Sequence, residues 1–246
     1  MWKRAITLIT TGVLGSLPLS VTAECVVLLH GLARSAASMT PMAEHLESSG
    51  FHVANIDYPS REQSIEQLAP RAIDDGIAAC PSEGDIHFVT HSMGGILVRY
   101  YLGENELERL GKVVMLAPPN QGSEVVDVYG DVPGFEWING PAGKQLGTGE
   151  DSLPSSLGPV DYDVGVIAGR KSINFLLSQS LPNPDDGKVS VEATKLEGMR
   201  DFLVVDEAHP FIMRDEDVMA QVVHFLKEGK FAHADESSPD DMHHSI

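Results

Sequence analysis

Basic residues are scarce in this chain: 17 Lys and Arg stand against 36 Asp and Glu, for a formal net charge of −19. So acidic a polypeptide is a poor partner for nucleic acid or an anionic membrane surface, which would repel it. Long apolar runs are also few. The stretch Ala5–Leu19 is interrupted by Thr7, Thr10, Thr11, Gly12, Gly15, Ser16 and Pro18 and falls short of the roughly 20 apolar residues that span a bilayer. Cysteine occurs only twice, at Cys25 and Cys80, which limits the chain to one internal disulfide. Acidic residues abound, yet none shows the spacing of a Ca²⁺ loop, so no metal site is read here.

At the N-terminus, Trp2-Lys3-Arg4 precedes the short apolar run, and Val21-Thr22-Ala23 supplies small residues before Glu24. That pattern is a secretory signal peptide over residues 1–23. Glu24 before Cys25 disfavours lipid attachment, which wants a small residue there. The expected product is periplasmic or secreted, without stable membrane insertion. Removing 23 residues from 246 leaves 223, which suits one large α/β domain over 24–231. Loss of Lys3 and Arg4 takes the charge from −19 to −21.

From Glu24 to Leu116 strands and helices alternate. Val26–Leu29, Phe51–Tyr58, Ile86–Val89 and Val113–Leu116 read as strands. Thr40 with Pro41 opens one helix that Gly50 ends, Ser64-Ile65-Glu66-Gln67 forms a capping box for a second, and Ile96–Leu102 is a third. The second helix has the apolar face Ile65, Leu68, Ile73 and Ile77, with Pro70 expected to kink it. Alternation of this kind implies a mostly parallel sheet covered on both faces, with ligands beyond the carboxyl ends of its strands.

Residues 117–163 break the rhythm, being rich in Gly and Pro without a helical period. They are expected to form a cap or lid, with Phe135, Trp137 and Ile138 in its apolar wall or else packed beneath a long loop. Strand character resumes at Val164–Ala168, Val189–Val191 and Phe202–Val205. A final helix over about 217–227 carries the stripe Val218, Met219, Val222, Val223 and Leu226, with Gly229 beyond it. The polar, acidic stretch 232–246 is expected to be a disordered tail in which His243 and His244 are solvated.

The chemistry centres on Val89-Thr90-His91-Ser92-Met93-Gly94-Gly95, between an apolar strand and a helix. A serine on such a turn is lifted clear of the sheet, as in the G-x-S-x-G nucleophile elbow, although Thr90 replaces the first glycine. Its hydroxyl needs a base, and the base needs a carboxylate. Of ten histidines, His209 is best placed, on the turn after Phe202–Val205; His45 and His224 fall in helices, His87 in a strand, and His91 beside the serine points elsewhere. Asp186, in the loop Pro182-Asn183-Pro184-Asp185-Asp186-Gly187, is the chosen acid, with Asp185 as the alternative. Oxyanion donors would be the N–H groups of Met93, at a helix start, and of Leu32, after the first strand. If Val26–Leu29 and Ile86–Val89 are neighbours, Cys25 and Cys80 share the sheet edge opposite this chemistry. A structural disulfide is then expected rather than two buried thiols.

L-L-H-G-L at 28–32, T-H-S-M-G-G at 90–95, A-P-P-N-Q-G-S at 117–123, D-D-G-K-V-S-V at 185–191 and V-V-D-E-A-H-P-F at 204–211 together resemble, in order, the α/β-hydrolase superfamily and its exported bacterial lipases and esterases. The resemblance implies a nucleophile at Ser92, an acid at Asp186, a base at His209, oxyanion donors at Leu32 and Met93, and no cofactor. It implies an α/β-hydrolase sheet of about six strands, lacking the first two of the usual eight, with the strands after Cys25 and Cys80 adjacent. The expected activity is hydrolysis of a small acyl ester or lipid through an acyl-enzyme. An acyltransferase, thioesterase or polyester depolymerase would use the same set, and a binding protein on this scaffold would lack a triad member. Acyl-chain length and oligomeric state are not legible.

Overall fold

The structure, a computed structural model, describes residues 24–150, 152–173 and 175–233. The expected signal peptide, 1–23, and residues 234–246 of the expected tail lie outside the described residues. Six strands pair side by side in the order β2-β1-β3-β4-β5-β6. They are β1 (Cys25–Leu29), β2 (His52–Ile56), β3 (Ile86–His91), β4 (Leu110–Leu116), β5 (Val164–Gly169) and β6 (Asp201–Val205). Every pairing is parallel.

The central strands read as unbroken apolar runs because both sheet faces are covered. Alternation along each strand sends successive side chains to opposite layers. Val27, Leu29, Phe88, Met115 and Val166 pack with helices α2 (Ile65–Ala79) and α3 (Met93–Glu104). Val26, Leu28, Val89, Val114 and Ile167 pack with α1 (Thr40–Ser48) and with α9 (Glu216–Glu228), the last helix among the described residues. In α2, Gln67 Oε1 accepts the Ser64 N–H at 3.4 Å, while Ile65, Leu68 and Ile73 are buried. Pro70 lies inside this helix without ending it. Asp215 caps α9 by accepting the Val218 N–H at 2.9 Å, and Gly229 closes it at φ 73°. No helix among the described residues is long and apolar enough to cross a membrane.

Cys25 opens β1 and Cys80 follows α2; they form a disulfide with Cα atoms 5.8 Å apart. The argument from neighbouring strands holds, since β1 pairs with β3 in the register Cys25↔Ile86. This cross-link sits at the amino ends of the strands, away from their carboxyl ends.

Three expectations are corrected. Val189–Val191 is not a strand: Val189 N–H donates to Asp186 Oδ1 and Val191 N–H to the Pro184 carbonyl, so neither is free for a ladder. Ser190 then caps one helical turn, accepting the Ala193 N–H at 3.2 Å. Residues 117–163 do contain helices, α4 (Glu124–Tyr129), α5 (Phe135–Lys144), which is broken at Gly140 by φ 67° and ψ −177°, and α6 (Leu153–Ser156), each unbroken run too short to display a period. The other helical elements among the described residues are the single turns α7 (Phe175–Ser178) and α8 (Val191–Thr194) and short 3₁₀ segments at Ala36–Met39 and Ile212–Arg214. Finally, Phe135 lines the central cavity but Trp137 and Ile138 do not, being 88% and 53% exposed. Helical spacing is the reason: Phe135 shares its face with Asn139, one turn on, whereas Trp137 and Ile138, between them, point outward.

Candidate active site

β2 lies on one side of β1 and β3 on the other, so the strand order reverses between β1 and β3 and their following loops diverge. A crevice opens at such a switch point. The register Leu29↔Thr90 sets His30-Gly31-Leu32 beside His91-Ser92-Met93 within it.

Ser92 joins β3 to α3 with φ 53° and ψ −123°, a conformation that costs a non-glycine residue strain. Its N–H continues the ladder, donating to the Leu116 carbonyl of β4 at 2.8 Å. A side chain at Gly94 would meet the Leu29 carbonyl oxygen at 2.6 Å, so only glycine lets α3 approach β1 this closely. The bulk of Thr90 is accommodated at Gly95, where an added Cβ would lie 3.3 Å from Thr90 Oγ1. That hydroxyl is fully buried and has no hydrogen-bond partner among the described residues.

His209, on the turn after β6, points Nε2 at Ser92 Oγ, 3.0 Å away, and Nδ1 at Asp186 Oδ2, 2.7 Å away. A carboxylate accepts, so the proton sits on Nδ1 and Nε2 is free to take one from the serine. Asp186 is itself buried, its other oxygen accepting the Lys188 and Val189 N–H groups at 3.0 and 2.9 Å. Its carbonyl receives the His209 N–H at 3.0 Å, tying the two loops together. Asp185 turns the other way, to Ser178 Oγ at 2.6 Å and Gly187 N–H at 2.7 Å.

Leu32 and Met93 flank the serine in the crevice. Neither N–H has an acceptor in a turn, loop or cap among the described residues. The peptide carrying the Leu32 N–H is held from the other side, since His30 Nδ1 donates to the Gly31 carbonyl at 2.9 Å. In a trans peptide the C=O and N–H point in opposite directions, so anchoring one aims the other. His30 Nε2 accepts the Tyr58 N–H, the two rings stack at 4.0 Å, and the Tyr58 hydroxyl donates to the His30 carbonyl. Burial lowers the pKa of His30, in keeping with a neutral ring that both donates and accepts.

His91 does more than its sequence position suggests. Its Nε2 donates to the His209 carbonyl, and its ring lies 4.9 Å from that of His209. Burial first, then the neighbouring His209, depress its pKa well below the ordinary value. The A-P-P-N-Q-G-S block is clamped by Arg99 of α3, which donates to the carbonyls of Asn120 and Gly158 at 2.9 and 2.8 Å. No local pattern marks either role, because each partner is distant in the chain.

Above Ser92 and His209 lies a cavity of about 260 Å³ whose apolar wall includes Leu32, Val125, Val126, Phe135 and Leu146. Most of that wall comes from residues 117–163. Gln145 fastens the segment to the body, its Oε1 capping the Ile65 N–H at 2.8 Å and its Nε2 reaching Glu66. Among the described residues no group of three His, Cys, Asp or Glu could hold a metal ion.

The sequence profile of the Alpha/beta hydrolase family matches residues 26–227. A search of curated proteins by sequence finds no match. Solved structures with a similar fold include the mature form of a Bacillus licheniformis lipase, at 20% identity over 88% of this chain and 96% of that one, with a TM-score of 0.63. A metagenomic carboxyl esterase is 19% identical over 86% of this chain and 72% of its own, at a TM-score of 0.59. A phospholipase of Legionella pneumophila is 20% identical over 70% of this chain and 46% of its own, at 0.55. With its sheet, its elbow and a family profile that spans nearly all of its described length, the chain belongs to the α/β hydrolase family.

Proposed function

We propose that the protein is a serine hydrolase of carboxylic esters, of the lipase or esterase kind, acting through an acyl-enzyme. The observation that carries this reading is the unbroken line of contacts from Asp186 through His209 to Ser92 Oγ, at 2.7 and 3.0 Å, opening into an apolar cavity. Ser92 Oγ attacks the ester carbonyl while His209 Nε2 takes its proton. Asp186 keeps the His209 tautomer and stabilises the imidazolium that forms. Negative charge on the carbonyl oxygen is met by the N–H groups of Leu32 and Met93, the latter at the start of α3 where the helix dipole assists. His209 returns the proton to the departing alcohol, and water then repeats the sequence to free the acid.

Residues 117–163 act in this reading as the cap that shelters the acyl chain. The disulfide suits an exported protein, in line with the signal peptide read at 1–23. A p-nitrophenyl ester series of increasing acyl length, run with the wild type and Ser92→Ala, tests the assignment. Hydrolysis with a chain-length optimum should fall by several orders of magnitude in the variant, the scale on which triads act; activity retained by Ser92→Ala refutes it.

A further inference from the structure

The cavity over Ser92 is charged in the opposite sense to the rest of the protein. The chain holds 36 Asp and Glu, yet among the described residues none lines this cavity, whereas Arg34 and Lys188 both do. Neither cation forms an ion pair with a carboxylate among the described residues. Both are exposed as well as cavity-lining, which puts them at its mouth. Their positions follow from the site itself: Arg34 lies two residues past Leu32, and Lys188 two past Asp186, so the loops that carry oxyanion donor and acid also carry the charges.

Two like charges facing one opening repel. Partial desolvation against the cavity wall and then the Arg34 charge lower the pKa of Lys188, while Asp186 works against them. The Asp186 oxygens, however, are taken up by His209 and two backbone N–H groups and make no direct ion pair with either cation. Arg34 also borders a second groove with Asp57, Arg61 and Glu62, none of which lines the cavity over Ser92. An anion at the mouth would relieve the repulsion, and a protein of net charge −19 holds an anionic substrate only where its surface is locally positive.

We propose that the ester cleaved here carries an anionic group, phosphate or carboxylate, on its alcohol side, bound by Arg34 and Lys188 while the acyl chain lies against the apolar wall of 117–163. This rests on the serine-hydrolase reading above and adds the substrate class to it.

The test compares kcat/KM for esters of one acyl chain that differ only in charge. One arm uses 1-octanoylglycerol 3-phosphate against 1-octanoylglycerol, the other octanoyl glycolate against its methyl ester. A preference for the anionic member of about tenfold or more is expected in at least one arm, and the arm that shows it names the source of the charge. In the double variant Arg34→Gln/Lys188→Gln the preference ratio should collapse, while Arg34→Lys/Lys188→Arg should keep it. Equal rates for charged and neutral esters in the wild type, or a ratio unmoved in the Gln variant, overturn the proposal. Calorimetric binding of octyl phosphate and octanoate against octanol reads the same site without turnover. If no ester is cleaved but an octyl anion binds in an Arg34- and Lys188-dependent way, the anion site stands and the hydrolase reading falls; if neither anion binds better than octanol, the anion site falls.

Discussion

His91 Nε2 donates to the backbone carbonyl of His209 across 2.9 Å, joining the residue before Ser92 to the residue that is its base in the proposed mechanism. Because β3 and the turn after β6 are far apart in sequence, this bond locks two loops that nothing local would align. His91→Phe fills similar space without the donor, and should lower kcat for p-nitrophenyl butyrate about tenfold at little cost in KM, as expected when a base is loosened from its best geometry. A kcat equal to that of the wild type would show that the His209 turn needs no such tether.

Asp185 and Asp186 are adjacent and equally buried, but only Asp186 meets His209. Asp186→Asn should cut kcat by about 10⁴-fold by favouring the wrong tautomer. Asp185→Asn breaks its bonds to Ser178 and Gly187 instead, so it should lower thermal stability by about 1–3 kcal/mol with a far smaller loss of kcat. Parallel kinetics and melting curves of the two variants check the division of labour.

Three buried histidines, His30, His87 and His91, have pKa values lowered chiefly by burial. Their ordinary value is 6.5. Above it both folded and unfolded chains are neutral at these sites, and the stability they permit is fully present. As the pH falls below 6.5 the unfolded chain takes up protons that the folded one refuses, so stability declines towards the lower native values. The slope is at most about 1.4 kcal/mol per pH unit for each histidine. Urea midpoints at pH 7.5, 6.5 and 5.5 should be flat over the first interval and fall over the second.

Thr90 Oγ1 is buried without a partner among the described residues, so its hydroxyl forfeits a hydrogen bond that water would supply in the unfolded chain. Thr90→Val keeps the shape and removes the polar atom, and should stabilise the protein by about 1 kcal/mol. A melting temperature below the wild type would show that the hydroxyl finds a partner after all.

Where the signal was local, the sequence was readable. The apolar runs of β1 and β3, the Ser64 cap of α2, Gly229 after α9 and the elbow around Ser92 each depend on a few consecutive residues, because strand alternation, capping and tight turns are short-range effects. Val189–Val191 misled for the same reason: its β-branched residues suggest a strand, but a non-local demand, the acid loop folding back on Asp186 Oδ1, claimed its N–H groups.

The amino-acid sequence by itself thus determined a parallel α/β sheet, the two cysteines at its amino edge, and the order in which Ser92, Asp186 and His209 arrive. Tertiary structure alone decided which of two neighbouring aspartates faces His209, that His91 and His30 brace the site from behind, that Trp137 faces outward while Phe135 faces in, and that Arg34 and Lys188 share one cavity mouth. Chain order sets which loop follows which strand. Side-chain direction and cross-loop hydrogen bonds appear only once strands far apart in the chain lie side by side in register.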